Sequence, residues 1–245
     1  MTKTIILIPS RLAATRLPNK PLLKIKGMSI INHVYQKAKS AEIGNVYVAT
    51  GDEEIFYEVT NNGGNSILTK KEHKTGTDRI YEAYQKLKSN DIEYVINLQG
   101  DEPMIDIQDI KNLNNKTINK KSDIATLACK IKDEEILNNN IVKVITEEKL
   151  LKDNISKAKY FSRESAFDNI SNIYHHIGIY MYKVSTLEKF VNLKQTETEI
   201  SQKLEQLRAI DNNISIDVVL AKTSPIGVDT NEDYLEIKKL MEYKN

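Results

Sequence analysis

Three cations follow the first apolar run of the chain. Arg11, Arg16 and Lys20 lie just after residues 4–8, a continuous apolar run rich in isoleucine. Such a run predicts a strand buried on both faces of a parallel sheet, and ligands of α/β sheets bind beyond the carboxyl ends of the strands. The cations therefore favour a polyanion site, with a nucleoside triphosphate as the first candidate. A solvated loop with unrelated surface charges is the alternative.

The loop that carries them, residues 9–21, lacks the glycine patterns of common phosphate-binding loops. Neither G-x-x-x-x-G-K-[ST] nor G-x-G-x-x-G occurs in it, which disfavours a Walker NTPase and a dinucleotide-binding Rossmann site. Its prolines stiffen it, and a stiff loop loses less entropy when it binds a ligand. Arginine forks suit phosphate oxygens, while lysine supplies a point charge.

Carboxylates in two later segments could complete this site. Asp101 and Glu102 lie in a turn after the apolar run 94–98, and Mg²⁺ is usually held by one or two carboxylates together with substrate phosphates. Asp229 precedes a capping-box pattern at residues 230–233, so its own carboxylate is not needed for the cap. For Asp101 and Glu102, an acidic turn that caps the next helix is an equally good interpretation.

A polar loop at residues 72–79 precedes another predicted helix. It offers hydroxyl groups, backbone N–H groups and Arg79 near the helix N-terminus. An ordinary helix cap and a nucleotide-binding role fit these residues about equally well.

The elements that must position these segments alternate regularly over the first half of the chain. Apolar periodicity predicts strands at 4–8, 46–50, 66–69 and 94–98, and helices at 28–42, after the N-cap Asp52, and at 77–88. This alternation favours an α/β fold with a three-layer, doubly wound, mostly parallel sheet. After a strand at 124–129 the pattern loosens. Strands are then expected at 141–145, 177–182 and 214–220, and helices at 199–210 and 231–243.

Composition limits the functional classes. The 245 residues suit a single α/β domain spanning 1–245, and the net charge of +1 provides no basic field for nucleic acid. The single cysteine, Cys129, excludes an internal disulfide and a Cys-rich metal site. No apolar stretch approaches the ~18 residues of a membrane span, and the early first strand leaves no room for a signal peptide. A cytoplasmic protein without a membrane partner is expected.

Seven segments, in order from residue 4 to about 240, together resemble the 3-deoxy-manno-octulosonate cytidylyltransferases, the CMP-KDO synthetases of lipopolysaccharide assembly. The matching segments are 8–22, 73–79, 97–103, 160–163, 176–180, 204–208 and 227–230. The resemblance implies a sheet of the nucleotide-diphospho-sugar transferase type, with a nucleotide-binding core at about 1–130 and 223–245. It also implies a smaller mixed lobe at about 131–222 that binds the sugar acid and forms a homodimer.

The resemblance further implies a reaction in which CTP and the eight-carbon 2-keto sugar acid KDO give CMP-KDO and pyrophosphate, with Mg²⁺ as cofactor. The anomeric hydroxyl attacks the α-phosphorus and pyrophosphate leaves in line, chemistry that depends mostly on positioning and charge neutralisation. The implied metal ligands are Asp101 and Asp229. The implied catalytic residues are Arg16, Lys20, Asp101 and Asp229.

The remaining residues implied by the resemblance bind the two substrates. Those for the nucleotide are Pro9, Ser10, Arg11, Arg16, Lys20, Thr75, Gly76, Thr77, Arg79 and Asp101. Those for the sugar acid are Gln99, Arg163, His176, Tyr180, Glu205 and Gln206, with Arg163 facing anionic groups.

One segment departs from the family pattern. After Arg163, residues 164–168 contain neither the proline nor the second arginine that many members have there. The acceptor could therefore be another 2-keto sugar acid, such as 8-amino-KDO or a sialic-acid-like sugar. Two alternatives belong to other classes: a nucleotide-binding protein that has lost catalysis, and a glycosyltransferase, whose D-x-D-like motif residues 100–102 do not match.

Overall fold

The structure, a computed structural model, describes residues 3–13, 16–89, 91–164, 171–222 and 224–243. The chain divides into two compact units, Met1–Ile110 with Pro225–Asn245 (the first unit) and Lys111–Ser224 (the second unit). No helix within the described ranges is both long and apolar enough to span a membrane.

Strands and helices alternate along the first half of the chain, as the sequence predicted. The strands are β1 (Lys3–Ser10), β2 (Lys24–Ile25), β3 (Met28–Ser29), β4 (Val46–Thr50), β5 (Ser66–Leu68), β6 (Ile92–Asn97), β7 (Ile124–Lys130), β8 (Lys143–Thr146), β9 (Ile155–Ser162), β10 (Ile173–Lys183) and β11 (Ile216–Leu220). The helices are α1 (Ile30–Ser40), α2 (Glu53–Asn61), α3 (Gly76–Leu87), α4 (Ile107–Lys120), α5 (Asp133–Ile136), α6 (Val184–Val191), α7 (Glu197–Gln202), α8 (Leu207–Asp211) and α9 (Asn231–Tyr243).

The larger sheet of the first unit is entirely parallel, in the order β5-β4-β1-β6, and β2 and β3 form a separate antiparallel pair. The predicted buried strand is confirmed, because residues 5–8 of β1 are at most 4% exposed. Leu7 of β1 lies opposite Asn97 of β6, and the N–H of Leu98 donates to the Leu7 carbonyl. The segments that follow these two strands therefore leave the same edge of the sheet.

An apolar cluster joins the C-terminal segment to the rest of the first unit. Val228 and Ile237 pack with Leu17, Ile25 and Ile30, and all five are at most 8% exposed. Burying each such aliphatic side chain contributes about 1.5–3 kcal/mol. This packing holds the start of α9 beside the loop that follows β1.

The second unit contains a mixed sheet whose pairings form a closed circuit. Antiparallel pairs join β10 to β7, β11 to β9, β9 to β8 and β8 to β10, and a parallel pair joins β7 to β11. In β10, Ile177 lies opposite Leu127, but the next paired residue, Tyr180, lies opposite Thr126. Two extra residues therefore bulge from β10 at this point.

Several elements of the second unit differ from the sequence prediction, including α4 and α5, which were not predicted. The single helix predicted at 199–210 is wrong, because Lys203 adopts a left-handed conformation with φ of 55° and ends α7 before α8 begins. The sequence did not predict β9, which buries few side chains and therefore has a weak apolar pattern. It also did not predict α6, which begins directly after β10 without a turn signal.

Candidate active site

A cavity of about 390 Å³ opens in the first unit at the carboxyl ends of β1 and β6, a volume typical of small-molecule sites. It is lined by nine of the ten residues expected to bind a nucleotide: Pro9, Ser10, Arg11, Arg16, Lys20, Thr75, Gly76, Arg79 and Asp101. The tenth, Thr77, is buried in α3 and is not part of the lining. Gln99 and Asp229 also line the cavity.

Two contacts fix the loops around this cavity. The N–H of Leu12 donates to Asp52 Oδ2 over 2.8 Å, which anchors the loop after β1. Asp52 occupies the N-cap position of α2, as predicted, but its side chain makes no capping hydrogen bond, because it binds the loop instead. A Cβ atom on Gly100 would lie only 3.0 Å from the Pro9 carbonyl oxygen, so glycine lets the turn after β6 pack against the end of β1.

Lys20 bridges the two aspartates of the cavity. Its Nζ lies 2.7 Å from Asp101 Oδ2 and 3.2 Å from Asp229 Oδ1. Burial lowers the pKa of Lys20, but the two carboxylates outweigh burial and raise the pKa above its ordinary value. Arg16 Nη2 lies 3.3 Å from the second oxygen of Asp229, and the Arg16 side chain is 67% exposed. Lys20 is therefore a charged, fixed cation, whereas the exposed Arg16 is free to turn towards a ligand.

Glu102 lies next to this group and is uncharged at neutral pH. Its Oε2 atom is buried and has no hydrogen-bond partner among the described residues. Burial, followed by the charges of Asp101 and Asp229, raises the pKa of Glu102 to about 8. The sequence analysis offered Asp101 and Glu102 as equivalent candidates for metal ligands, but the burial of Glu102 distinguishes the two carboxyl groups.

The loop before α3 combines a helix cap with a wall of the cavity. Thr75 and Asp78 form a reciprocal capping box at the start of α3. The guanidinium of Arg79 donates to Thr69 Oγ1 and to the carbonyl oxygens of residues 70 and 71, over 2.7–3.1 Å. The cap interpretation is therefore correct for Thr75, and Arg79 holds the segment after β5 while lining the cavity.

The two site aspartates fit a magnesium ion. Both carboxylates lie within 3.2 Å of a single ammonium nitrogen, so a cation between them is already accommodated. Mg²⁺ is commonly bound by one or two carboxylates with substrate phosphates completing its coordination. Within the described ranges, no group of three or more His, Cys, Asp or Glu side chains forms an all-protein metal site.

His176 and Tyr180, predicted for the sugar acid, lie together in the second unit. Their ring centroids are 5.5 Å apart. Burial, with the charges of His175 and Arg163, lowers the pKa of His176 to about 3. The imidazole is therefore neutral at physiological pH.

Glu205 and Gln206 lie in the turn that precedes α8. Gln206 is buried at the N-cap of α8, and Glu205 Oε1 lies 3.7 Å from Arg208 Nη2. Burial raises the pKa of Tyr180 well above its ordinary value, and Tyr182 and Glu205 add to this effect. The phenol of Tyr180 therefore keeps its proton and can donate a hydrogen bond.

Arg163, the remaining predicted residue of the second unit, is fixed by a lysine that the sequence analysis did not single out. Lys143 is fully buried in β8, and its Nζ donates to the carbonyl oxygens of Asn138 and Arg163, each over 2.8 Å. Burial and the Arg163 charge lower the pKa of Lys143. The sequence signal that could have identified Lys143 was a lysine inside the apolar run 141–145.

Residues 165–170, which contain most of the segment that departs from the family pattern, lie outside the described residues.

His73 also lines the cavity, although the sequence predicted no role for it. Its Nε2 lies 2.6 Å from Glu82 Oε2, and Glu82 also accepts the backbone N–H of Lys70. The position of His73 in the polar segment 73–79 was the signal for it.

Comparisons with known proteins identify the family of this chain. The family model for cytidylyltransferases matches residues 5–216. A 3-deoxy-manno-octulosonate cytidylyltransferase of Brucella canis is 45% identical over 233 residues, covering 94% of this chain and 92% of that protein. The protein of the same name from Rhodopseudomonas palustris is 44% identical over 242 residues, covering 98% of both chains.

Solved structures give the same result. A CMP:2-keto-3-deoxy-manno-octonic acid synthetase complexed with CTP superposes with a TM-score of 0.90 at 34% identity, covering 98% of both chains. A 4-diphosphocytidyl-2C-methyl-D-erythritol synthase shares the fold, with a TM-score of 0.67 at 11% identity over 99% of this chain and 100% of that one. The chain belongs to the cytidylyltransferase family and, within it, to the 3-deoxy-manno-octulosonate cytidylyltransferases.

Proposed function

We propose that this protein transfers the cytidylyl group of CTP to KDO and releases pyrophosphate. The names of its relatives support both substrates. The observation that carries the proposal is the charge of the cavity in the first unit. Five basic side chains and two carboxylates line it: Arg11, Arg16, Lys20, Lys74 and Arg79, against Asp101 and Asp229. This excess of positive charge suits a triphosphate.

The reaction requires little covalent chemistry from the protein. The anomeric hydroxyl oxygen forms a bond to the α-phosphorus, the bond from that phosphorus to the pyrophosphate oxygen breaks, and the hydroxyl proton leaves to solvent. Arg11, Arg16 and Lys20 bind the phosphates and offset the charge that develops on the leaving pyrophosphate. Because the pKa of Lys20 is raised, this lysine stays protonated throughout.

Mg²⁺ is part of the proposal, with Asp101 and Asp229 as its protein ligands. When bound, the ion would neutralise phosphate charge and lower the pKa of the attacking hydroxyl. The support is the convergence of both carboxylates on one cation position. The expected readout is magnesium-dependent turnover that EDTA abolishes.

The acceptor is proposed to be KDO, bound by Gln99 and by Arg163, His176, Tyr180, Glu205 and Gln206. The alternative of another sugar acid is not favoured, because the Brucella canis and Rhodopseudomonas palustris relatives and the structure complexed with CTP carry the names of KDO enzymes. The neutral imidazole of His176 and the neutral phenol of Tyr180 suit sugar hydroxyls, while the guanidinium of Arg163 suits the carboxylate.

The testing experiment measures pyrophosphate release with CTP and Mg²⁺. KDO is compared with 8-amino-KDO and N-acetylneuraminate, and UTP replaces CTP as the nucleotide control. Rapid release is expected only with CTP and KDO.

Asp101→Ala should abolish turnover and keep a cooperative unfolding transition, whereas Asp153→Ala, at an exposed aspartate, should leave turnover unchanged. Normal turnover by Asp101→Ala would refute the assigned site.

We also propose a homodimer whose product enters lipopolysaccharide assembly in the cytoplasm. Closed two-fold dimers are the commonest soluble oligomers. Exposed apolar side chains in the second unit, including Leu137, Leu151 and Ile200, support an interface there. Light scattering after gel filtration tests it, and a monomer at micromolar concentration would refute it.

A further inference from the structure

The bulge in β10 brings two distant side chains together. His176 and Tyr180 lie opposite Ala128 and Thr126, which are next-but-one neighbours on β7. In a regular strand, residues four positions apart would be about 13 Å apart along the chain. Because residues 178 and 179 are looped out, the rings of His176 and Tyr180 come within 5.5 Å on one face of the strand.

The hydroxyl of Thr126 binds to this bulge from the neighbouring strand. Thr126 is completely buried. Its Oγ1 lies 2.8 Å from the carbonyl oxygen of Ile179, 3.1 Å from that of Ile177 and 3.0 Å from Nε2 of His176. One side chain thus contacts both ends of the bulge and the histidine beside it.

Counting protons at this hydroxyl selects one histidine tautomer. The two carbonyl oxygens can only accept hydrogen bonds. The single hydroxyl proton of Thr126 therefore points to one of these oxygens or is shared between them, and a lone pair of Oγ1 faces His176 Nε2. A proton on Nε2 then completes a second hydrogen bond. The opposite tautomer would require Thr126 to donate to Nε2, and both carbonyls would lose their hydroxyl donor inside a buried site, where unmade bonds are costly.

We propose that Thr126 is a positioning residue that fixes His176 as the Nε2–H tautomer, so that Nδ1 accepts a hydrogen bond from a hydroxyl group of the sugar acid. The identity of this ligand rests on the proposed function, whereas the tautomer does not. Within the described part of the chain, Nε2 is the only ring nitrogen of His176 with a hydrogen-bond partner. Because the pKa of His176 is about 3, the ring stays neutral and Nδ1 keeps its lone pair at physiological pH.

Kinetics of three variants test the positioning role. Thr126→Val keeps the branched shape and removes the hydroxyl, and it is expected to raise the KM for KDO about ten-fold, equivalent to one lost hydrogen bond. The KM for CTP should change less than about two-fold, and Thr126→Ser should restore the KM for KDO. Thr117→Val, at another fully buried threonine of the second unit, should leave both constants unchanged. An unchanged KM for KDO in Thr126→Val overturns the proposal.

A spectroscopic measurement tests the tautomer without any substrate. Nitrogen-15 NMR of protein labelled at histidine, assigned with His176→Gln, should report a protonated Nε2 and an unprotonated Nδ1 in the wild type. Thr126→Val should give a mixture of tautomers, or the Nδ1–H form. A wild-type Nδ1–H tautomer overturns the proposal. If the wild type failed to turn over KDO, the proposed function would fall, and this measurement would still decide the role of Thr126.

Discussion

Glu102→Gln is expected to stabilise the metal-free protein. The Oε2 atom of Glu102 is buried without a hydrogen-bond partner among the described residues. Burial first, then the charges of Asp101 and Asp229, raise the pKa of Glu102 to about 8 from an ordinary value of 4.5. At neutral pH the folded protein must therefore hold a proton that the unfolded chain has released. Glutamine is neutral in both states, so it removes this cost.

The sign and size follow from proton linkage. Between the ordinary and the raised pKa, the folded state binds more protons than the unfolded state, so stability falls as pH rises through this window. Each pH unit in the window corresponds to about 1.4 kcal/mol. At pH 7 the glutamate therefore costs about 3 kcal/mol, and at pH 4.5 it costs less than about 0.5 kcal/mol. The gain from Glu102→Gln should shrink accordingly as the pH is lowered.

Urea unfolding in EDTA at both pH values measures this effect. EDTA is required because a divalent cation at the neighbouring aspartates would favour the charged form of Glu102. The matched control is Glu93→Gln, at an exposed glutamate of β6, which should change the free energy of unfolding by less than about 0.5 kcal/mol at either pH. Equal stability of wild type and Glu102→Gln at pH 7, or a gain that does not depend on pH, would refute the reasoning.

Two further substitutions test the site and the second unit. Lys20→Met removes the ammonium shared by the site carboxylates, and pyrophosphate release is expected to fall about 10²–10³-fold. The control, Lys24→Met at an exposed lysine, should retain full turnover. Equal losses in the two variants would contradict the assignment. Glu199→Gln removes the buried carboxylate that accepts two hydrogen bonds from the guanidinium of Arg208, and Glu205, at 3.7 Å, is a more distant carboxylate. Urea titration should therefore detect a loss of about 3 kcal/mol. Glu197→Gln, exposed on the same helix, is the control, and a similar small change in both would contradict the argument.

The sequence predicted the candidate site best where polar residues directly follow a buried strand. The apolar runs that became β1 and β6 each lead into polar segments, and parallel strands end at a common edge. That rule alone brings Lys20 and Asp101 together, although they are 81 residues apart. Asp229 could be singled out because the capping box of α9 left its carboxylate without a local role, and that box is present in the structure.

Buried polar contacts between distant residues were beyond the reach of sequence patterns. Thr126 lies in an apolar strand and looks like an ordinary β-branched core residue, because its partner His176 is 50 residues away. Asp52 has the position of a helix cap, but a tertiary contact with Leu12 determines what its carboxylate binds. The break at Lys203 depends on a left-handed backbone conformation at a lysine, for which no glycine gave a signal. In each case tertiary structure overrides local propensity.

We expect the two units to recognise their proposed ligands by different physical means. The cavity of the first unit offers permanent charges, including the exposed guanidinium of Arg16, so its attraction for a polyphosphate is expected to depend little on the shape of the ligand and to weaken with salt. In the second unit His176 is buried and Tyr180 is half-buried, and both are neutral near pH 7, since desolvation moves their pKa values in opposite directions. Buried neutral donors and acceptors reject a ligand that leaves them unpaired. If the proposed site is correct, charge supplies affinity for the nucleotide, whereas the neutral pair supplies discrimination among sugar acids.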